Sequence, residues 1–144
     1  MRSLNNICVI ECGGKTNIHI FARVLNRFKI PYIVIHDKDP IDFPIDKENK
    51  NDKEKGLLKI FRENEFIENV VDENYGHIIK INPELEHLIG ISKGEEERQG
   101  KVGAAYFKYE NLALEEYPAE IKKILGLIRE WNVDRKTCEF NCIK

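Results

Sequence analysis

The 144-residue sequence has no surplus of positive charge: 23 Lys and Arg stand against 25 Asp and Glu, a net charge of −2. A broad basic field of the kind that grips nucleic acid is thereby excluded. Any such grip must be local, or come through bound cations or other chains. No apolar run approaches the roughly 20 residues that cross a bilayer, and the start, MRSLNNICVIEC, is too broken for an export signal. A cytoplasmic protein with no membrane partner is the expectation. Cysteine is scarce, with two C-x3-C pairs, Cys8/Cys12 and Cys138/Cys142. Without export, reduced thiols are expected; a four-thiolate zinc site joining the pairs is the alternative, and its spacing departs from the usual C-x2-C. No internal repeat is visible.

What is present suits one domain spanning 1–144, long enough to bury a core. Ile7 to Glu11 (ICVIE) is a short apolar run ended by Cys12-Gly13-Gly14, which predicts a buried strand entering a glycine turn. Thr16 or Asn17 can cap a helix whose Ile18, Phe21, Ala22, Leu25 and Phe28 recur at helical spacing, and Pro31 stops it. Tyr32 to His36 (YIVIH) is a second strand, apolar as parallel strands covered on both faces are. Residues 1–40 thus form a βαβ unit, and 41–55, polar and lysine-rich, a surface loop. In the remainder, 56–144, a helix over Lys55–Val71 turns Leu57, Leu58, Phe61, Ile67 and Val71 inward, and His77–Ile81 makes a third strand. Pro83 opens a helical turn carrying Glu84, Glu86 and Leu88, closed by Gly90; Ser92–Gly100 is expected as a solvated loop and Lys101–Leu112 as a helix. Pro118 begins a last helix striped by Ile121, Ile124, Leu125, Ile128 and Trp131.

The strongest chemical signal is Asp37-x-Asp39 at the carboxyl end of a buried strand, where ligands bind in open α/β sheets. In extended chain, carboxylates two residues apart point the same way. So held, they repel until one takes a proton or both share a cation, and oxygen-only ligands suit magnesium. A solvated turn with Pro40 is the competing reading. Gly13-Gly14-Lys15-Thr16 is no phosphate loop, because Val9 stands where that motif needs glycine; a tight turn that packs the helix close to the sheet is preferred. His19 and His36 have no spaced partners and read as core or surface histidines, and Glu95-Glu96-Glu97 as a solvated face. Glu11 ends the first strand beside the same crevice, able to join the acids or to cap a turn.

The string VIECGGKTNIHIFARVLNRFKIPYIVIHDKDP, Val9 to Pro40, resembles the TOPRIM domain of OLD-family (overcoming lysogenization defect) ATP-dependent nucleases. The shared features are strand-GGK-x-N, a helix ending in L-N-x-F-x-I-P, and a strand ending in D-x-D-P. A weaker likeness runs through Asn82-Pro83-Glu84-Leu85-Glu86 with Gly90, then Gly100-Lys101. The resemblance implies an α/β, Rossmann-like TOPRIM fold, a mostly parallel sheet with helices on both faces. It also implies magnesium-dependent cleavage of DNA phosphodiesters, with Mn2+ as the substitute ion. Carried over by position, Asp37 and Asp39 would hold the metal, Glu86 would add a carboxylate, and Lys101 would meet the phosphate.

A complete TOPRIM domain opens with a strand ending in E-G-x-x-D, then a helix, before the glycine motif. Here that first acidic strand is absent, and Glu11 is its nearest stand-in for a catalytic carboxylate. The expectation is a fold truncated at its N-terminus, with DNA as partner and a free strand edge met by self-association or by an upstream ATPase/TOPRIM half. The implied function is a nuclease module of a larger ATPase-nuclease or its fragment. A catalytically inactive TOPRIM-like interaction domain is the alternative.

Overall fold

The structure, a computed structural model, describes residues 7–129 and the backbone of Cys138–Asn141. Its centre is a parallel sheet of β1 (Tyr32–Asp37), β2 (Gly76–Asn82) and β3 (Cys138–Asn141), in that order across the sheet. Tyr32 lies opposite Gly76 and Asp37 opposite Ile81, so the carboxyl ends of β1 and β2 finish side by side. The helices are α1 (Ile18–Arg27), α2 (Asp52–Val70), the single turn α3 (Leu85–Leu88), α4 (Lys93–Tyr109) and α5 (Ala119–Arg129). The expected α/β architecture holds.

Each face of the sheet buries its own cluster. Ile18 and Ala22 of α1 and Ile67 of α2 pack on Tyr32, Val34 and Ile78. On the other face Leu88 and Ile124 cover Ile79 and Ile81, joined by Ile33, Ile121 and Ile128. Successive side chains of a strand leave on opposite faces, so YIVIH and HIIKI carry apolar residues toward both, with Lys80 paired to Glu68 instead. Helix α2 is tied down at both ends of its inner face. Asn64 donates from Nδ2 to the Lys38 carbonyl at 2.7 Å, and Asn26 of α1 does the same to Val70 at 2.9 Å. The Tyr32 hydroxyl donates to Asn26 at 2.7 Å, linking sheet and both helices. Gly76 is required by packing: a Cβ there would sit 2.5 Å from Val71 and 2.7 Å from the Tyr32 ring.

Several sequence expectations change, and Leu57, expected inward on α2, is 39% exposed. Ile7–Glu11 is irregular and exposed rather than a buried strand, with Val9 90% exposed. Among the described residues, the outer edge of β1 therefore carries no neighbouring strand. Phe28, expected inward, is 70% exposed, because α1 ends at Arg27 and the chain then turns through Lys29 at positive φ. Helix α2 starts at Asp52 instead of Lys55: Asn51 accepts from the Glu54 N–H while Glu54 accepts from the Asn51 N–H, a reciprocal cap that satisfies the first turn. The segment 92–100 is helical for the same reason, Ser92 and Glu95 forming the cap of α4. Gly100, at φ 70° and ψ 162°, kinks that helix and separates it from the stretch expected at Lys101. Trp131 and Cys142 lie outside the described residues; Cys8 and Cys12 are free thiols. No helix among the described residues is long and apolar enough to cross a membrane.

Ile67 is fully buried between α2 and the sheet. Ile67→Ala should cost about 2–5 kcal/mol of unfolding free energy by urea denaturation, whereas Phe28→Ala should stay within about 0.5 kcal/mol of the native chain.

Candidate functional site

The carboxyl end of β1 delivers Asp37, and the chain then leaves the strand. Lys38 still donates its N–H to Ile81 at 2.7 Å, but Asp39 takes φ 48°, a left-handed conformation that aspartate tolerates better than most residues. The strand alternation expected to align the two acids thus stops short of Asp39. The pair meets through a turn instead, and the two carboxylates remain close enough to repel.

The partner elements arrive from β2. After Asn82 the chain enters α3, whose first N–H, from Leu85, donates to Asp37 Oδ1 at 2.8 Å. The next residue, Glu86, is 9% exposed, and its carboxylate forms an ion pair with Lys101. Glu96 is a looser neighbour of the same ammonium at 3.9 Å. The kink at Gly100 lets α4 present Lys101 at this place. Asp37, Asp39, Glu86 and Lys101, from three separate stretches of sequence, are therefore electrostatic neighbours. Glu11 is not brought to them: it lies exposed on the N-terminal segment and makes no hydrogen bond or ion pair among the described residues.

Charge dictates the protonation preferences. Burial pushes the Asp37 carboxyl above its ordinary value, and Glu86 and Asp39 push the same way, while the Leu85 N–H and Lys101 pull it back. Burial also works against ionised Glu86, but the hydrogen bond and charge of Lys101 outweigh it, leaving that carboxyl below its usual range. Lys101 is held protonated above the normal lysine range, first by its bond to Glu86. His36, 6% exposed, is kept neutral by burial, with Nδ1 at 2.9 Å from the Asp37 carbonyl.

Sequence reasoning passed over one residue here. Gly13 and Gly14, both at positive φ, turn the chain so that Lys15 reaches back across the strand end. Its Nζ donates to the Asp37 carbonyl at 2.6 Å and to Asp39 Oδ2 at 2.9 Å, with the side chain only 11% exposed. The available signal was the glycine pair itself, whose positive φ values reverse the chain ahead of α1.

The donor set suits a hard divalent cation. Glu86 Oε2 is buried with no hydrogen-bond partner, and Asp37 keeps Oδ2 outside its bond to Leu85. Hard cations of this kind keep several waters and use few carboxylates. Among the described residues no three His, Cys, Asp or Glu side chains converge as a finished metal cage.

Residues 2–39 match the family model described as overcoming lysogenization defect protein-like, TOPRIM domain. Among curated proteins, an "OLD nuclease" of Thermus scotoductus is 28% identical over 98 residues, covering 67% of this chain and 18% of that protein. The chain thus aligns with less than a fifth of its relative's length. No solved structure matches.

The raised carboxyl of Asp37 gives a pH dependence of known sign. A folded-state pKa above the unfolded one favours the protonated fold, so this contribution is complete below the ordinary carboxylate range and is lost as pH rises through the folded value. In chelator-containing buffer at neutral pH, Asp37→Asn, which can still accept from Leu85, should therefore be more stable than the native chain. The gain should vanish toward pH 3, as read from denaturation midpoints across pH.

Proposed function

We propose that this chain, which carries a TOPRIM domain of the overcoming lysogenization defect family, is the metal-dependent phosphodiester-cleaving part of a nuclease, with DNA as its substrate. The observation that carries the reading is the meeting of Asp37, Asp39, Glu86 and Lys101 at the carboxyl ends of adjacent parallel strands. Such strand ends are where open α/β sheets place their chemistry.

In this reading Asp37, Asp39 and Glu86 hold Mg2+, or Mn2+ in its place. When bound, the ion supplies an activated water and a positive centre for the oxygens of the phosphate. The protein's own groups do the remainder. The Leu85 N–H fixes one oxygen of Asp37 and so aims the other. Burial of Glu86 strips its second oxygen of competing donors. Lys101, 58% exposed at its side chain, can turn from Glu86 toward an entering phosphate and meet the charge that develops there. The open outer edge of β1 is where a further strand would add, from a second copy or from an upstream ATPase/TOPRIM half. Glu11 stands as the carboxylate such an assembly could bring inward.

The second reading, a catalytically inactive interaction domain, is favoured by the incomplete metal cage among the described residues. The two separate in one assay. Mg2+-dependent nicking of supercoiled plasmid by the native chain should fall by about 100-fold or more in Asp37→Ala and Glu86→Gln, and by roughly 100-fold in Lys101→Met. Equal nicking by all four chains would sink the nuclease assignment. Absence of nicking together with absence of Mg2+ binding in calorimetry would establish the inactive domain.

A further inference from the structure

The geometry points to Lys15 as the resident cation of the strand-end acidic centre, an internal ammonium that a divalent ion partly replaces. The inference rests on the metal-binding reading above, and it assigns a role to a residue outside the set carried over from the family.

Three observations build it. Lys15 is the wrong side chain for a mere glycine-turn filler, because it is only 11% exposed and spans from the turn to the end of the neighbouring strand. An ammonium withdrawn that far from water must find acceptors, and it has two: the Asp37 carbonyl at 2.6 Å and Asp39 Oδ2 at 2.9 Å. Asp39, in turn, sits at φ 48°, which turns its carboxylate off the strand direction and toward Lys15. The bond to Lys15 is the one that grips its carboxylate.

The two acceptors differ in what a metal ion could do to them. A backbone carbonyl already shared with His36 Nδ1 stays where the strand puts it. The Asp39 carboxylate, 36% exposed at the rim, can turn. A divalent cation entering beside Asp37 and Glu86 would draw Asp39 toward itself, and Lys15 would keep its carbonyl bond. The ammonium and the metal thus compete for one carboxylate while both relieve the same repulsion. A purely structural lysine would show no such antagonism.

The test compares the native chain with Lys15→Met, which retains the apolar stem and removes the charge. In EDTA the variant should melt at a lower temperature. Added Mg2+ should raise its melting temperature more than that of the native chain, and calorimetry should show Mg2+ binding roughly tenfold tighter, the effect of deleting one positive charge a few ångströms away. If the variant does not fold in EDTA, Lys15→Gln, which keeps a donor for the Asp37 carbonyl, carries the same comparison. Equal or weaker Mg2+ binding by the variant, with clear binding by the native chain, would overturn the role of Lys15 and leave the metal reading intact. Mg2+ binding by neither chain would overturn both.

Discussion

Electrostatic repulsion at one point governs the arrangement. Asp37 and Glu86 are partly withdrawn from water at the ends of two parallel strands, and burial, Glu86 and Asp39 together push the Asp37 carboxyl above its ordinary value. The fold answers from three directions. Lys15 comes from the turn before α1, Lys101 from beyond the kink in α4, and the Leu85 N–H from the start of α3. Each answer depends on a backbone feature elsewhere: positive φ at Gly13 and Gly14 for the first, the break at Gly100 for the second, the exit of β2 for the third. Positions that look like punctuation in the sequence are thus constraints set by charge.

The strands and helices that were legible owe this to burial. YIVIH and HIIKI carry apolar residues on both faces, because α1 and α2 cover one and α3 and α5 the other. Periodicity reports that directly. The stripe of α5 with Pro118 ahead of it is legible for the same reason; Lys122 donates its N–H to the Pro118 carbonyl as the first turn closes. What periodicity cannot report is an element held by capping. Ser92-x-x-Glu95 and Asn51-x-x-Glu54 start helices among residues with little apolar content, and α4 buries only Ala104. The signal there was the reciprocal cap, four residues long, inside stretches whose polarity suggested loop.

ICVIE shows the opposite failure. An apolar, β-branched run predicts a strand only if a neighbour offers backbone partners, since strand formation is a pairing and not a property of the segment. Among the described residues its side chains are exposed and β1 offers an unused outer edge. Composition registers the capacity to pair; it does not register the partner. The acidic site divides along similar lines. Asp37 and Asp39 were visible as a string, and Glu86 and Lys101 as a resemblance, whereas Lys15 was not, because its role comes from 22 and 24 residues of intervening chain folding back.

The two lysines differ in a way that bears on what the site can do. Lys15 is almost wholly enclosed and held by a main-chain carbonyl, so its charge is a fixed part of the site. Lys101 is more than half exposed, and its acceptor is a side chain. Three carboxylates facing two ammonium groups leave the centre short of one positive charge, a deficit that a divalent cation overfills. Of the two lysines, Lys101 is the one with solvent to move through. On the proposed reading, a cation held by the carboxylates would supply an activated water, and Lys101 would be placed to meet the phosphate. Metal binding and substrate binding would then be coupled through Glu86, the carboxylate that both groups share.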